Sequence, residues 1–126
     1  MIKNFHDLRS LLVPVKFPET DSMSYLLFLQ LRKSILHNCD TILLFLQAQE
    51  RLHPYRADIY IEIDELRFDA LNVKKACGRG PSNFRPPGRR KNIKHLKALY
   101  EQMRLAAMLL CQADDPELMD DVARAL

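Results

Sequence analysis

The chain has 126 residues, 48% of them apolar, with a net charge of +3. That size and composition fit one domain spanning 1–126 and exclude a globally disordered chain. No apolar run reaches bilayer length and no secretory leader is evident, which points to a soluble, cytoplasmic protein that avoids the membrane.

In chain order, residues 4–13 form a short helix candidate capped by Asn4, with Phe5, Leu8, Leu11 and Leu12 on one side. Pro14 and Pro18 stop it. A long helix is expected from Thr20–Ser22 to about Gln49, capped by Thr20 or Asp21. Phe28, Leu31, Ile35, Cys39, Ile42 and Leu46 step by three and four along it. Tyr25, Leu29, Leu36, Leu43 and Leu44 widen that stripe, so the helix is apolar nearly all round and is expected to be buried on two sides. Leu29, Leu36 and Leu43 are therefore the candidate subunit interface of a homo-oligomer.

After a break at Pro54, Ile59, Ile61 and Ile63 alternate as in a strand, but the longer window reads as helix. Ile59, Ile63, Leu66, Ala70, Val73 and Cys77 step four, three, four, three, four. Gly78 stands where a left-handed helix-ending glycine belongs. Residues 78–92 read as a long loop carrying Pro81, Pro86 and Pro87. Asn92 is the expected cap of a further helix, with Ile93, Leu96, Tyr100, Met103, Ala107 and Leu110 inward. Asp115 and Pro116 open a short acidic terminal helix whose inner edge is Leu118, Val122 and Leu126. The fold class is all-α: a four-helix bundle with a short extra terminal helix and a long basic, proline-rich loop between the third and fourth main helices.

Charge is distributed very unevenly. Lys74, Lys75, Arg79, Arg85, Arg89, Arg90, Lys91, Lys94 and Lys97 fall in one stretch without a single Asp or Glu. The rest of the chain has ten basic against sixteen acidic residues. Such a segment repels itself and calls for an external anion. Arginine forks fit phosphate oxygens, lysines add mobile charge, and Phe84 is available to stack on a base, so these nine residues are the candidate binding site for RNA or DNA backbone. A solvated loop that only aids solubility, or an acidic protein partner, are the alternatives.

No catalytic set, metal spacing or cofactor motif can be assembled. Cys39, Cys77 and Cys111 lie far apart on helical patterns, as buried reduced thiols do. Asp114 and Asp115 suit capping better than metal binding. Two R-x4-H spacings, Arg32 with His37 and Arg90 with His95, resemble the motif of HEPN ribonucleases, but each Arg is followed by Lys where that family prefers a polar residue such as Asn, Asp or His. Ordinary surface or core side chains are the expected reading of both pairs.

Several stretches together resemble the accessory variability determinant (Avd) family of diversity-generating retroelements. LLVPVKFPETDSMSYLLFLQLRKSIL (11–36) is similar to that family's opening segment. ILHNCDTILLFLQAQ (35–49) resembles its Asn-containing helix at Ile35, Asn38, Leu43, Leu46 and Ala48. IDELRFDALNVKK (63–75) is similar to its third helix, and YEQMRLAAML (100–109) to its fourth, with Glu101 and Arg104 matching and Ala106 and Ala107 at a small pair. The chain departs from the family in having no tryptophan and no Gly-Gly-Trp ending, in its longer basic loop and in its acidic tail. The resemblance implies a four-helix bundle without a catalytic centre. It further implies a basic homopentamer that binds a reverse transcriptase and its template RNA. A nucleic-acid-binding subunit of a conjugation or CRISPR complex, a HEPN-type ribonuclease and a purely protein-binding bundle stay open as alternatives.

Overall fold

A computed structural model describes residues 2–17, 25–54, 56–78 and 89–126, without the side chains of Tyr25, Gly78 and residues 89–91. The described residues are helical, with no strand. The helices are α1 (Phe5–Leu11), α2 (Tyr25–Leu52), α3 (Tyr60–Gly78), α4 (Arg89–Asp114) and α5 (Met119–Ala125). Single 3-10 turns at Ala57–Ile59 and Pro116–Leu118 lead into α3 and α5. Among the described residues no helix is long and apolar enough to cross a membrane.

The apolar periods determine which faces meet. α3 packs along both α2 and α4, α5 packs on α4, and α1 bridges α2 and α5. Two seven-residue helices thus share the side that the three long ones leave open. The acidic terminal helix is therefore part of the core: Leu118, Val122 and Leu126 are buried in it. On α3, Ile59 and Ile63 are buried while Ile61 is exposed, the helical period rather than strand alternation.

α2 and α4 meet across the centre through side chains. Asn38 Nδ2 donates to Tyr100 Oη at 3.0 Å and to the Val13 carbonyl at 2.8 Å, and Asn38 Oδ1 accepts from the Val13 N–H at 2.9 Å. Tyr100 Oη in turn donates to the Leu126 carbonyl at 3.0 Å. Burial raises the Tyr100 phenol above its ordinary pKa, so it stays protonated as this donor. Every buried polar atom of the network is satisfied, as burial in low dielectric requires.

Several boundaries differ from the sequence expectation. The Asn4 cap is present: its Oδ1 accepts from the Asp7 N–H at 2.9 Å. α2 continues three residues past Gln49 because Glu50, Arg51 and Leu52 are good helix formers and only Pro54 interrupts them. The proposed caps Thr20 and Asp21 lie outside the described residues. Gly78 closes α3 from within. α4 begins at Arg89, so Asn92 sits inside the helix and is not its cap. Once Pro87 and Gly88 are passed, nothing in Arg-Arg-Lys resists helix. The basic connection is accordingly shorter than 78–92, and its part 79–88 lies outside the described residues. Asp115 and Pro116 occupy the expected N-cap and first-turn positions, though the Asp115 side chain makes no capping bond.

Candidate nucleic-acid interface

The nine basic residues belong to the end of α3, the start of α4 and the chain between them. The two helices run antiparallel. At the far end, Arg56 Nη1, just before α3, bonds Asp114 Oδ1 at the close of α4 at 2.9 Å. Arg56 also grips Asp58 with a second nitrogen pair, and these carboxylates hold the guanidinium protonated while it holds the Asp58 carboxyl below its usual range. With that end fixed, the last turns of α3 lie beside the first turns of α4.

Lys74 and Lys75 on α3, and Lys94 and Lys97 on α4, are all exposed. Arg79 and Arg85 lie outside the described residues, and Arg89, Arg90 and Lys91 form the first turn of α4 with their side chains outside them. That turn holds no acidic residue. Helix dipoles favour anions at such an end, so three cations there raise the demand for an external one.

Lys74 is less free than the sequence implies. Its Nζ bonds Asp40 Oδ1 of α2 at 2.7 Å, which raises the ammonium above its ordinary pKa. Arg32 and Lys33 lie at the same end, although the sequence did not place them with the nine basic residues. Arg32 Nε donates to the Cys77 carbonyl at 2.8 Å and so caps the end of α3. Lys33, exposed one residue later, extends the positive surface onto α2. No local signal assigns either residue to this end, because the α2–α3 register alone brings them there.

Acidic groups collect at the opposite end, where Asp58, Asp114, Asp115 and Glu117 surround the turns into α3 and α5. No protein-family model, curated protein or solved structure matches this chain. The functional reading therefore stands on the residues themselves.

The R-x4-H spacings do not make a shared site at the first pair. Arg32 is turned to Cys77 of α3, while His37 Nε2 donates to the Leu11 carbonyl at the end of α1 at 2.7 Å. Of the second pair, His95 is exposed and the Arg90 side chain lies outside the described residues. Among the described residues no three His, Cys, Asp or Glu side chains come together as metal ligands. Cys39, Cys77 and Cys111 are free and buried, and burial raises their thiols to about 12, about 11 and about 12. Such thiols are neutral and poor nucleophiles near neutral pH.

The candidate interface residues Leu29, Leu36 and Leu43 lie on one stripe of α2, all half-buried. Leu36 and Leu43 pack against the edge of the core. Much of the apolar breadth of α2 is thus covered within the chain, while Leu26 and Leu44 stay exposed.

Proposed function

We propose that this protein is a non-catalytic, nucleic-acid-binding four-helix-bundle variant. It acts as the accessory factor of a reverse transcriptase, of the kind that diversity-generating retroelements employ. The observation that carries this reading is the gathering of Lys75, Lys94 and Lys97, with Lys33, at the end of the α3–α4 pair from which the chain 79–91 contributes five further cations. Neutralisation of phosphates with release of counterions supplies the affinity, and base identity contributes little. His37 serves to hold α1 on α2, and neither His37 nor His95 carries chemistry in this reading. A homo-oligomer built on the Leu29, Leu36 and Leu43 stripe would repeat the basic end around a ring, and the cytoplasm is where its template and polymerase reside. The link to a reverse transcriptase rests on the sequence resemblance, supported by the buried Asn38 and by the small pair Ala106 and Ala107, which are buried in α4.

The test is binding of unstructured RNA and single-stranded DNA across a salt series. With four to six phosphates engaged, log K is expected to fall against log salt with a slope of about −3 to −5. Replacing Arg85, Arg89, Arg90 and Lys91 together by Gln should flatten the slope and weaken all sequences alike. Unchanged affinity in a variant that stays folded would sink the reading and assign the charge to an acidic protein partner. Metal-independent RNA cleavage lost in His95→Ala would instead promote the ribonuclease alternative.

A further inference from the structure

The outer surface of the α3–α4 pair combines exposed apolar side chains with carboxylates that lack cations. On α3, Ile61 and Phe68 are 70% and 66% exposed, and Glu65 lies between them on the same stripe. On α4, Leu105 and Leu109 are 53% and 54% exposed. The antiparallel register set by Arg56 and Asp114 brings residues 61–69 alongside 101–109. Glu62 and Asp69 stand half-buried on the flank of α3. Among the described residues none of Glu62, Glu65 and Asp69 has a cationic partner. The other carboxylates of α2 and α3 behave differently: Asp40, Glu50 and Asp64 are each bonded to Lys74 or Arg67. Burial first, and the neighbouring Glu65 second, push the Asp69 carboxyl above its ordinary pKa.

Four large apolar side chains around three unpaired carboxylates describe the complement of a cationic amphipathic helix. Apolar residues of such a helix would seat against Ile61, Phe68, Leu105 and Leu109, and its flanking Lys or Arg would meet Glu62, Glu65 and Asp69. Nucleic acid is repelled by this face. A second copy docked face to face would set the carboxylates against themselves. From this complementarity we infer that the outer α3–α4 face binds a protein partner through a basic amphipathic helix. This surface is separate from the basic end and does not depend on the nucleic-acid reading.

The experiment uses the full chain and a synthetic helical peptide of leucine and lysine in an amphipathic pattern, with a leucine–glutamate peptide of the same pattern as control. Fluorescence anisotropy should show saturable one-to-one binding of the lysine peptide and none of the glutamate peptide. Two variants, Ile61→Ser with Phe68→Ser and Glu62→Gln with Glu65→Gln and Asp69→Asn, should each weaken binding by about tenfold or more, as truncation of anchor residues does. Circular dichroism melting should report both as folded, because the replaced groups are outside the core. Glu117→Gln with Asp120→Asn, at the acidic tail, should leave binding unchanged. The inference is overturned if both face variants bind as the parent does, or if the tail variant weakens binding equally. It is also overturned if the parent self-associates and Ile61→Ser with Phe68→Ser restores a monomer, which would make a second copy the occupant.

Discussion

Asn38 is fully buried, and its amide holds the segment after α1, the middle of α2 and the middle of α4 at one point. Asn38→Leu leaves both part-buried Val13 backbone groups without their partner and is expected to destabilise by about 2–3 kcal/mol, since a fully buried stranded group costs about 1–3 kcal/mol and a part-buried one less. Tyr100→Phe removes one acceptor and one donor and is expected to cost about 1–2 kcal/mol. Urea titration of the double variant should show less than the sum, because the two share a bond. The cysteines give a pH prediction. Their unfolded value is 9.0, and burial raises it to about 11 or 12. Above pH 9 the unfolded chain loses thiol protons that the folded chain keeps, so stability is full below pH 9 and declines as pH rises toward 11. Unfolding midpoints at pH 8, 9 and 10 should fall in that order, and Cys39→Ala with Cys111→Ala should shrink the decline. A constant midpoint would contradict the assigned burial.

Among the elements, α5 is the one whose contribution its sequence understates. It is seven residues long, too short to persist alone. It is held by Leu118 and Val122 in the core, by Arg104 Nε donating to the Ala123 carbonyl at 3.0 Å, and by Arg9 bonded to Asp121 at 2.8 Å. Leu118→Ala should therefore destabilise the whole molecule, by about 2–5 kcal/mol, as buried leucine truncations do. Chemical denaturation should show a lower midpoint with an unchanged slope. If α5 were a loosely attached tail, the midpoint would not move. Arg9→Ala, by contrast, breaks a half-exposed pair and should shift the midpoint by less than about 1 kcal/mol equivalent.

At the scale of the whole molecule, assembly is the open consequence of the exposed leucines. Light scattering at micromolar concentration is expected to give a multiple of 14.7 kDa. Leu29→Glu is the informative variant, since Leu29 is half-buried and outside the core cluster, whereas Leu36 and Leu43 contribute to packing within the chain. It should dissociate the assembly without unfolding the subunit, because an unpaired charge is unfavourable to bury at an interface. A monomeric parent would remove the ring from the proposed function and leave the basic end to act singly.

The helices, most of their inward faces and the segregation of charge were legible from one dimension, because apolar period and formal charge are properties of the chain itself. Leu11 departs from its expected side of α1 and is exposed, while Phe5, Leu8 and Leu12 are buried. Ile59, Ile63, Leu66, Ala70, Val73 and Cys77 announced the buried side of α3, and all are buried. The start of α4 was misplaced by a turn because Asn92 is a good cap wherever a cap is needed, and local chemistry does not say that none is needed there. What required three dimensions were relations between helices. The α2–α3 register brings Asp40 to Lys74 and Arg32 to the end of α3, the antiparallel α3–α4 pair gathers Lys75 with Lys94 and Lys97, and the return of α5 delivers the Leu126 carbonyl to Tyr100. Each joins residues tens of positions apart, and the free energy that selects it comes from packing several faces at once, which no window of the sequence contains.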